Sequence, residues 1–264
     1  TRINKELENH KIVIVAGFQG FNEKLDITTF GRGGSDSTAV ALAAALDAKH
    51  CYIFSDVDGV YSTDPNKIPD AKKLENLSYS EMLDISSEGA KVLHNRWVEI
   101  GEKFNIPIIT KSTFNNKPGT VINEKIEDTT VKSIVKNDDI IYVNAKSKNY
   151  STEIFNKIYN VLIRNEIIPK NLVNNSSYQL DISFCIKNTN LNKFLSISEN
   201  DLSFLECSYH NVSKIALVGH GIMNDNTVLL KLMKIIELNN LNILNIDINE
   251  SKIAILFKDI VQNA

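Results

Sequence analysis

The stretch Gly31-Arg32-Gly33-Gly34-Ser35-Asp36 runs straight into Ser37–Ala48, a segment dominated by alanine, leucine and valine. Glycine lets a backbone turn sharply and approach a ligand closely, while alanine and leucine are strong helix formers. The pattern predicts a glycine-lined turn that opens a helix, with Ser35 or Asp36 as its N-cap. Upstream, Lys11–Ala16 holds the short apolar run Ile12-Val13-Ile14-Val15, which predicts a strand buried on both faces and ended by Gly17-Phe18-Gln19-Gly20. Downstream, Cys51-Tyr52-Ile53-Phe54 reads as a strand that ends at Ser55-Asp56-Val57-Asp58-Gly59-Val60-Tyr61, with Thr63-Asp64-Pro65 marking a further turn. Strand, helix and strand in succession argue an α/β fold with a parallel sheet.

Beyond this unit, Ser78–Phe104 reads as helical with an interruption at Glu88-Gly89, and Ser78 with Glu81 has the spacing of a capping box. Ile106–Thr110 is a further strand, and Pro118-Gly119-Thr120 turns into an extended segment. After about residue 125 the texture changes to shorter units separated by Asn-rich and charged stretches. Strands are expected at 140–143, 179–186, 212–218, 242–247 and 252–257, and helices at 152–165 and 227–238. Units of one helix and a strand pair, repeated about once, suggest small α+β sandwiches.

The 264 residues carry a net charge of −3 and a pI near 6.0, which provides no basic field for nucleic acid. No apolar run approaches the roughly 20 residues that a membrane-spanning helix needs. Cys51, Cys185 and Cys207 are widely spaced and odd in number, which fits reduced cytosolic thiols better than a disulfide framework or a metal site.

The chemistry on offer is that of binding small charged groups. A helix start supplies unpaired N–H groups and partial positive charge for a carboxylate or phosphate. The planar fork of Arg32 can grip a carboxylate through two hydrogen bonds, and Asp36 can pair an ammonium group, so the turn could hold a zwitterion. The loop Ser55–Tyr61 follows the carboxyl end of a predicted parallel strand, where open α/β sheets bind ligands. There Asp56 could hold a ribose or a base amine, and Tyr61 could stack. Taken singly, each feature is equally well a turn with solvated charges. Lys91 suits phosphate but is as readily a solvated helix lysine, and Trp97 reads as core or interface.

Taken together, these motifs resemble the aspartokinases of the amino-acid kinase family. The match runs in order through Val15-Ala16-Gly17-Phe18-Gln19-Gly20, Gly31–Asp36, Ser55–Pro65, Gly89-Ala90-Lys91-Val92-Leu93-His94 and Lys117-Pro118-Gly119-Thr120. It continues more weakly to the end, where 212–221 and 242–257 resemble an ACT domain. The resemblance implies the C-terminal part of an amino-acid-kinase (carbamate-kinase-like) parallel-sheet domain over 1–125. Two α+β, ferredoxin-like ACT domains would follow, at 130–205 and, incomplete, at 206–264. It also implies a cytoplasmic enzyme that transfers the γ-phosphoryl of ATP to the β-carboxylate of L-aspartate, the first step toward lysine, threonine and methionine. By carry-over, Arg32, Gly33, Gly34, Ser35 and Asp36 hold aspartate, with Asp36 as the catalytic residue that orients the reacting centre. Ser55, Asp56, Tyr61, Asn66, Lys91 and Val92 surround ATP, and Mg²⁺ bridges its phosphates. A carboxylate nucleophile is already ionised at neutral pH, which agrees with motifs that offer positioning groups and no acid–base dyad.

Some features depart from the family. Its Lys-Phe-Gly-Gly start has no counterpart here, so little or no kinase activity is expected of this polypeptide alone. Asn66 stands where Arg is usual, with Lys67 beside it. Neither 146–151 nor 221–226 keeps the Pro-Gly turn of an effector site, which weakens the expectation of lysine or threonine as effector. ACT domains imply a homo-oligomer. A non-catalytic ACT-containing subunit and a glutamate or uridylate kinase are the competing readings.

Overall fold

The structure, a computed structural model, describes residues 1–89, 95–125, 130–148, 151–176 and 178–258. The chain divides into two compact units. The first comprises Thr1–Val135 together with Leu217–Asp225 and Glu250–Lys252, and the second comprises Lys136–Ala216, Asn226–Asn249 and Ile253–Ala264.

The first unit begins with helix α1 (Arg2–Glu8) and an antiparallel hairpin of β1 (Gln19–Phe21) and β2 (Ile27–Thr29). Helix α2 (Gly34–Ala45) follows, then β3 (Cys51–Ser55), β4 (Asn76–Ser78), α3 (Tyr79–Ser87), α4 (Asn95–Phe104), β5 (Ile108–Ser112) and β6 (Thr120–Asn123). The four strands form one sheet in the order β3-β5-β6-β4. The sheet is mixed: β3 runs parallel to β5 and β4 to β6, but β6 is antiparallel to β5. The wholly parallel sheet expected from the sequence is broken because β5 and β6 are joined by a short turn at Thr113–Gly119, too short for a crossover.

Helix α2 buries Ser37, Val40 and Ala43, spaced by one turn. The capping box at the start of α3 forms as expected: Glu81 N–H donates to Ser78 Oγ, and Ser78 N–H donates to Glu81 Oε2 at 2.9 Å. Trp97 and Val98 of α4 are fully buried among Val40, Tyr79, Met82, Ile85, Ile108 and Ile122. Fully burying one such large side chain contributes about 1.5–3 kcal/mol, so this cluster holds the helices on the sheet.

One expectation fails. Residues 11–17 form no strand, and Ile12 and Ile14 are each 94% exposed. A strand buried on both faces needs neighbours to hydrogen-bond it, and none of the described strands pairs with this run.

The second unit carries most of a six-stranded sheet ordered β11-β12-β10-β7-β9-β8. Its strands are β7 (Ser133–Ser147), β8 (Lys170–Asn174), β9 (Leu180–Lys187), β10 (Glu206–Val218), β11 (Ile243–Asn249) and β12 (Lys252–Lys258). Helices α5 (Thr152–Arg164), α6 (Leu191–Asn200) and α7 (Asn226–Leu238) are interspersed in the order β7-α5-β8-β9-α6-β10-α7-β11-β12. Strands β7, β8 and β9 pair antiparallel. Ile141, Val143, Ile158, Leu162, Phe184 and Phe194 share a core, with the two phenylalanine rings edge to face at 6.0 Å. Strand β8 and helix α6 were not foreseen. Among the described residues, no helix is long and apolar enough to cross a membrane.

Candidate active site

The glycine-lined turn is built by a local conflict between backbone and side chains. Gly33 has φ +73° and caps α2 with no side-chain hydrogen bond, a conformation that costs other residues a Cβ clash. Gly34 is buried, and a Cβ there would lie 2.8 Å from Phe30 Cβ and 3.0 Å from Phe18 Cδ2. Helix α2 therefore begins before Ser35, which corrects the expectation that Ser35 or Asp36 is the N-cap. Both residues fall inside the first turn, where backbone N–H groups point out of the helix end. Phe18 N–H donates to Thr38 Oγ1 at 3.1 Å, and Phe30 N–H donates to the Phe18 carbonyl at 3.0 Å, so the turn is pinned from upstream. Arg32 and Ser35 are exposed and Asp36 is half-buried. Burial raises the Cys51 thiol pKa, and the Asp36 carboxylate raises it further. Asp36 thus acts on Cys51, the first residue of β3, and the second motif begins at the other end of that strand, at Ser55.

That second motif is a folded loop. Ser55 Oγ accepts from Val57 N–H at 3.2 Å, and the Ser55 carbonyl accepts from Thr113 N–H at 2.8 Å. Asp56 and Val57 are exposed at the loop crest. Tyr61 donates its hydroxyl to Asp58 Oδ1 at 2.6 Å, and Lys73 Nζ lies 3.7 Å from Asp58 Oδ2. The Tyr61 hydrogen bond holds the Asp58 carboxyl below its usual pKa, assisted by the charges of Lys73 and Lys117, and the same bond raises the pKa of Tyr61. Asn66 donates from both its backbone and side-chain nitrogens to Asp64 Oδ1, closing the turn at Asp64-Pro65.

The donor set suits a nucleoside better than a phosphate chain. An exposed carboxylate at Asp56 can accept from ribose hydroxyls or a base amine, and the Tyr61 ring is braced by its hydroxyl. Lys91 and Val92, with Ala90, Leu93 and His94, lie outside the described residues.

Two features were missed from the sequence. Arg96, just past the Gly89–His94 motif, donates from Nη1 to the Phe30 carbonyl at 2.9 Å. Glu81, Asp84 and Glu88 line one face of α3 and its C-cap, and each meets a group from far down the chain. Their i, i+3, i+7 spacing is a visible helical stripe, but nothing in the sequence says what it faces.

Comparison with known proteins finds similarity to the amino acid kinases and the aspartokinases. The amino acid kinase family model matches residues 1–112. The aspartokinase of Bacillus sp. (strain MGA3) is 34% identical over 98% of this chain and 65% of its own length. That of Corynebacterium glutamicum is 36% identical over the same shares of each chain, 98% and 65%. In sequence this chain is similar to the aspartokinases over nearly its whole length. The solved aspartate kinase of Clostridium acetobutylicum superposes with a TM-score of 0.83 at 25% identity, covering 97% of this chain and 62% of that one. Aspartokinase III of E. coli, solved in complex with aspartate and ADP, shares the fold with a TM-score of 0.77 at 24% identity over 95% and 58% of the two chains. The present chain thus spans about 65% of the length of the aspartokinases it matches in sequence. Within that span the glycine turn at Gly31–Asp36 and the loop at Ser55–Pro65 are both folded, and the Asn66 side chain donates to Asp64.

Proposed function

We propose that the chain carries the aspartate-binding turn and the nucleotide loop of an aspartate kinase, which phosphorylates the β-carboxylate of L-aspartate to 4-phospho-L-aspartate in amino-acid biosynthesis. The observation that carries this reading is the first turn of α2: Gly33 caps it with no side-chain hydrogen bond, Arg32 directly precedes it, and Ser35 and Asp36 lie within it. Arg32 binds the α-carboxylate bidentately, Asp36 takes the amine and fixes the orientation of the β-carboxylate, and the helix end favours the negative charge. Ser55, Asp56, Tyr61 and Asn66, with Lys91 and Val92, surround the nucleotide. When bound, ATP supplies the phosphoryl group, with Mg²⁺ carried on its phosphates. No proton need be removed from the acceptor, so the residues of this chain act by positioning.

Residues 130–205 and 206–264, which make up most of the second unit, read as two ferredoxin-like ACT domains that pair in a homo-oligomer and take lysine or threonine as effector. In support, α5 and α7 are each preceded by one strand and followed by a strand pair, and the solved lysine-bound form of E. coli aspartokinase III shares the fold. The non-catalytic subunit reading is weaker, because a regulator has no use for a folded glycine turn and nucleotide loop.

Calorimetric titration of the full chain with L-aspartate in the presence of MgADP tests the proposal. Saturable binding that Arg32→Ala reduces by about tenfold or more, as loss of a bidentate charged contact should, supports it. Absence of aspartate binding, or binding indifferent to Arg32, overturns it. An aspartate-dependent hydroxamate assay then reports whether this polypeptide turns over by itself.

A further inference from the structure

Lys73 reaches the loop after β3 from a stretch that carries no motif. Tyr61 and Lys73 stand opposite each other in an isolated antiparallel bridge. On either side of them, Ser62 N–H donates to the Lys72 carbonyl and Leu74 N–H donates to the Val60 carbonyl, each at 2.8 Å. Tyr61 and Lys73 are therefore a non-hydrogen-bonded pair, the arrangement that brings opposed side chains closest together. Asp58 meets both. Its Oδ1 accepts from the Tyr61 hydroxyl at 2.6 Å, and Lys73 Nζ stands 3.7 Å from its Oδ2. Side-chain exposure is 20% at Lys73 and 17% at Asp58.

The same ammonium donates to the Pro118 carbonyl at 2.5 Å. That carbonyl belongs to the turn between β5 and β6, which is itself tied to the loop. Thr120 Oγ1 accepts from Val60 N–H at 2.8 Å and donates to the Leu74 carbonyl at 2.6 Å. Gly59 makes room for this approach: a Cβ there would lie 2.6 Å from Thr120 Oγ1 and 3.1 Å from Lys73 Cδ. An ion pair that still meets solvent contributes little to global stability. What this one can decide is local, namely where the Asp58 carboxylate stands and hence where the hydroxyl end of Tyr61 is held.

We propose that Lys73, anchored on the Pro118 carbonyl and acting through Asp58, is a positioning residue for the Tyr61 ring in nucleotide binding. The inference rests on the reading of Tyr61 as a residue that stacks on the nucleotide. Lys73 acts on the ring and not on the ligand. Without its ammonium the Asp58 carboxylate gains more by turning to water than by staying over the bridge, and the Tyr61 hydroxyl loses its fixed acceptor. The ring then samples several orientations, and a ligand that stacks on it must first select one.

The test is a double-mutant cycle on the full chain, with MgADP affinity measured by calorimetry for the unmodified protein, Lys73→Met, Tyr61→Phe and the two substitutions combined. Lys73→Met should weaken MgADP by about fivefold, and Lys73→Arg, which keeps the charge, should restore most of it. Tyr61→Phe keeps the ring but has no hydroxyl for Asp58 to hold, so in that background Lys73→Met should cost less than about twofold. If the full loss persists in the Tyr61→Phe background, Lys73 acts on the ligand or on the fold directly and the proposal is wrong. It is equally wrong if Lys73→Met lowers the melting temperature and leaves MgADP affinity unchanged. Nuclear magnetic resonance of tyrosine-labelled protein without ligand reads the ring itself. The Tyr61 signal, identified by its loss in Tyr61→Phe, should move in Lys73→Met and return in Lys73→Arg, and a signal that stays in place overturns the proposal. If the unmodified chain binds no MgADP, the nucleotide reading falls and the role in binding with it, whereas the ring signal still decides whether Lys73 places Tyr61. If Lys73→Met unfolds the chain, Asp58→Asn, which keeps the side-chain shape without the charge, carries the same cycle with the same outcomes.

Discussion

The guanidinium of Arg96 holds the carbonyl of Phe30, 66 residues earlier, at 2.9 Å. Phe30 immediately precedes the glycine turn, and Arg96 stands two residues after the Gly89–His94 motif, so one hydrogen bond ties the approach to that turn to the start of α4. Arg96 is exposed, so its contribution to global stability is small, about 1 kcal/mol or less. Its effect should be on the turn. Arg96→Ala is expected to leave the melting temperature within a few degrees and to weaken aspartate binding by roughly fivefold, measured by calorimetry with MgADP present.

Gly34 sets two tendencies against each other. Alanine in a helix is favoured over glycine by about 1 kcal/mol. A Cβ at Gly34, however, would press against Phe30 and Phe18 at 2.8 and 3.0 Å, and overpacking costs about 1–3 kcal/mol. The clash should win. Gly34→Ala is expected to lower the denaturant midpoint and to weaken aspartate more than it weakens MgADP, because Phe30 moves the turn and not the loop after β3. Equal loss for both ligands would show that the substitution acts through the fold as a whole.

How much of this was legible in the sequence follows the range of the interactions. The capping box at Ser78 and Glu81, the helix at 34–45 and the strand at 51–55 rest on neighbours within a few residues, and pattern alone places them. The start of α2 was misplaced because Gly33 takes the left-handed conformation, and capping preferences rank side chains, not backbone wells. Residues 11–16 have the composition of a buried strand but no pairing partner among the described residues; composition cannot report a missing neighbour. The glycine turn and the loop after β3 were visible as motifs. Arg96 and the α3 stripe were not, since their partners lie 66 and about 140–165 residues away.

The exposed run at 12–15 has a consequence in solution. Ile12 and Ile14 are almost wholly exposed, within a β-prone segment free of charge and proline, which is the signature of a sticky strand. The isolated chain should self-associate at high concentration through this run. Ile14→Lys should raise the concentration at which light scattering begins, with no loss of melting temperature, because the side chain it replaces is buried against nothing. A drop in melting temperature would mean that the run is packed in solution.

The loop after β3 should loosen in acid. Asp58 has its pKa lowered chiefly by the Tyr61 hydrogen bond. A carboxyl with a depressed folded pKa contributes stability that is complete above its unfolded pKa, near 4, and is lost as pH falls through the folded value. Between about pH 5 and pH 3 the unmodified protein should therefore lose more stability than Asp58→Asn, in which this contribution is absent at every pH. Parallel melting curves of the two across that window would show Asp58 to be uncoupled from the fold.

Tyr79 gives the opposite limb. Its side chain is 3% exposed at the start of α3, and no described residue partners its hydroxyl. Burial, with the charges of Glu124 and Glu102 adding to it, pushes its pKa up to about 12. An acid whose folded pKa is raised keeps its proton in the native state after the unfolded chain has lost it. Its contribution is therefore full below the unfolded pKa, near 10, and drains away as pH climbs toward the folded value. The protein should lose stability between about pH 10 and pH 12 more steeply than Tyr79→Phe. At neutral pH the same substitution removes a buried hydroxyl that lacks a partner while keeping the ring, so it should be neutral or stabilising by about 1 kcal/mol. Thermal melts at pH 7 and across the alkaline range measure both effects on one pair of proteins. A destabilised Tyr79→Phe at pH 7 would mean that the hydroxyl is hydrogen-bonded in solution, and the alkaline difference would then shrink with it.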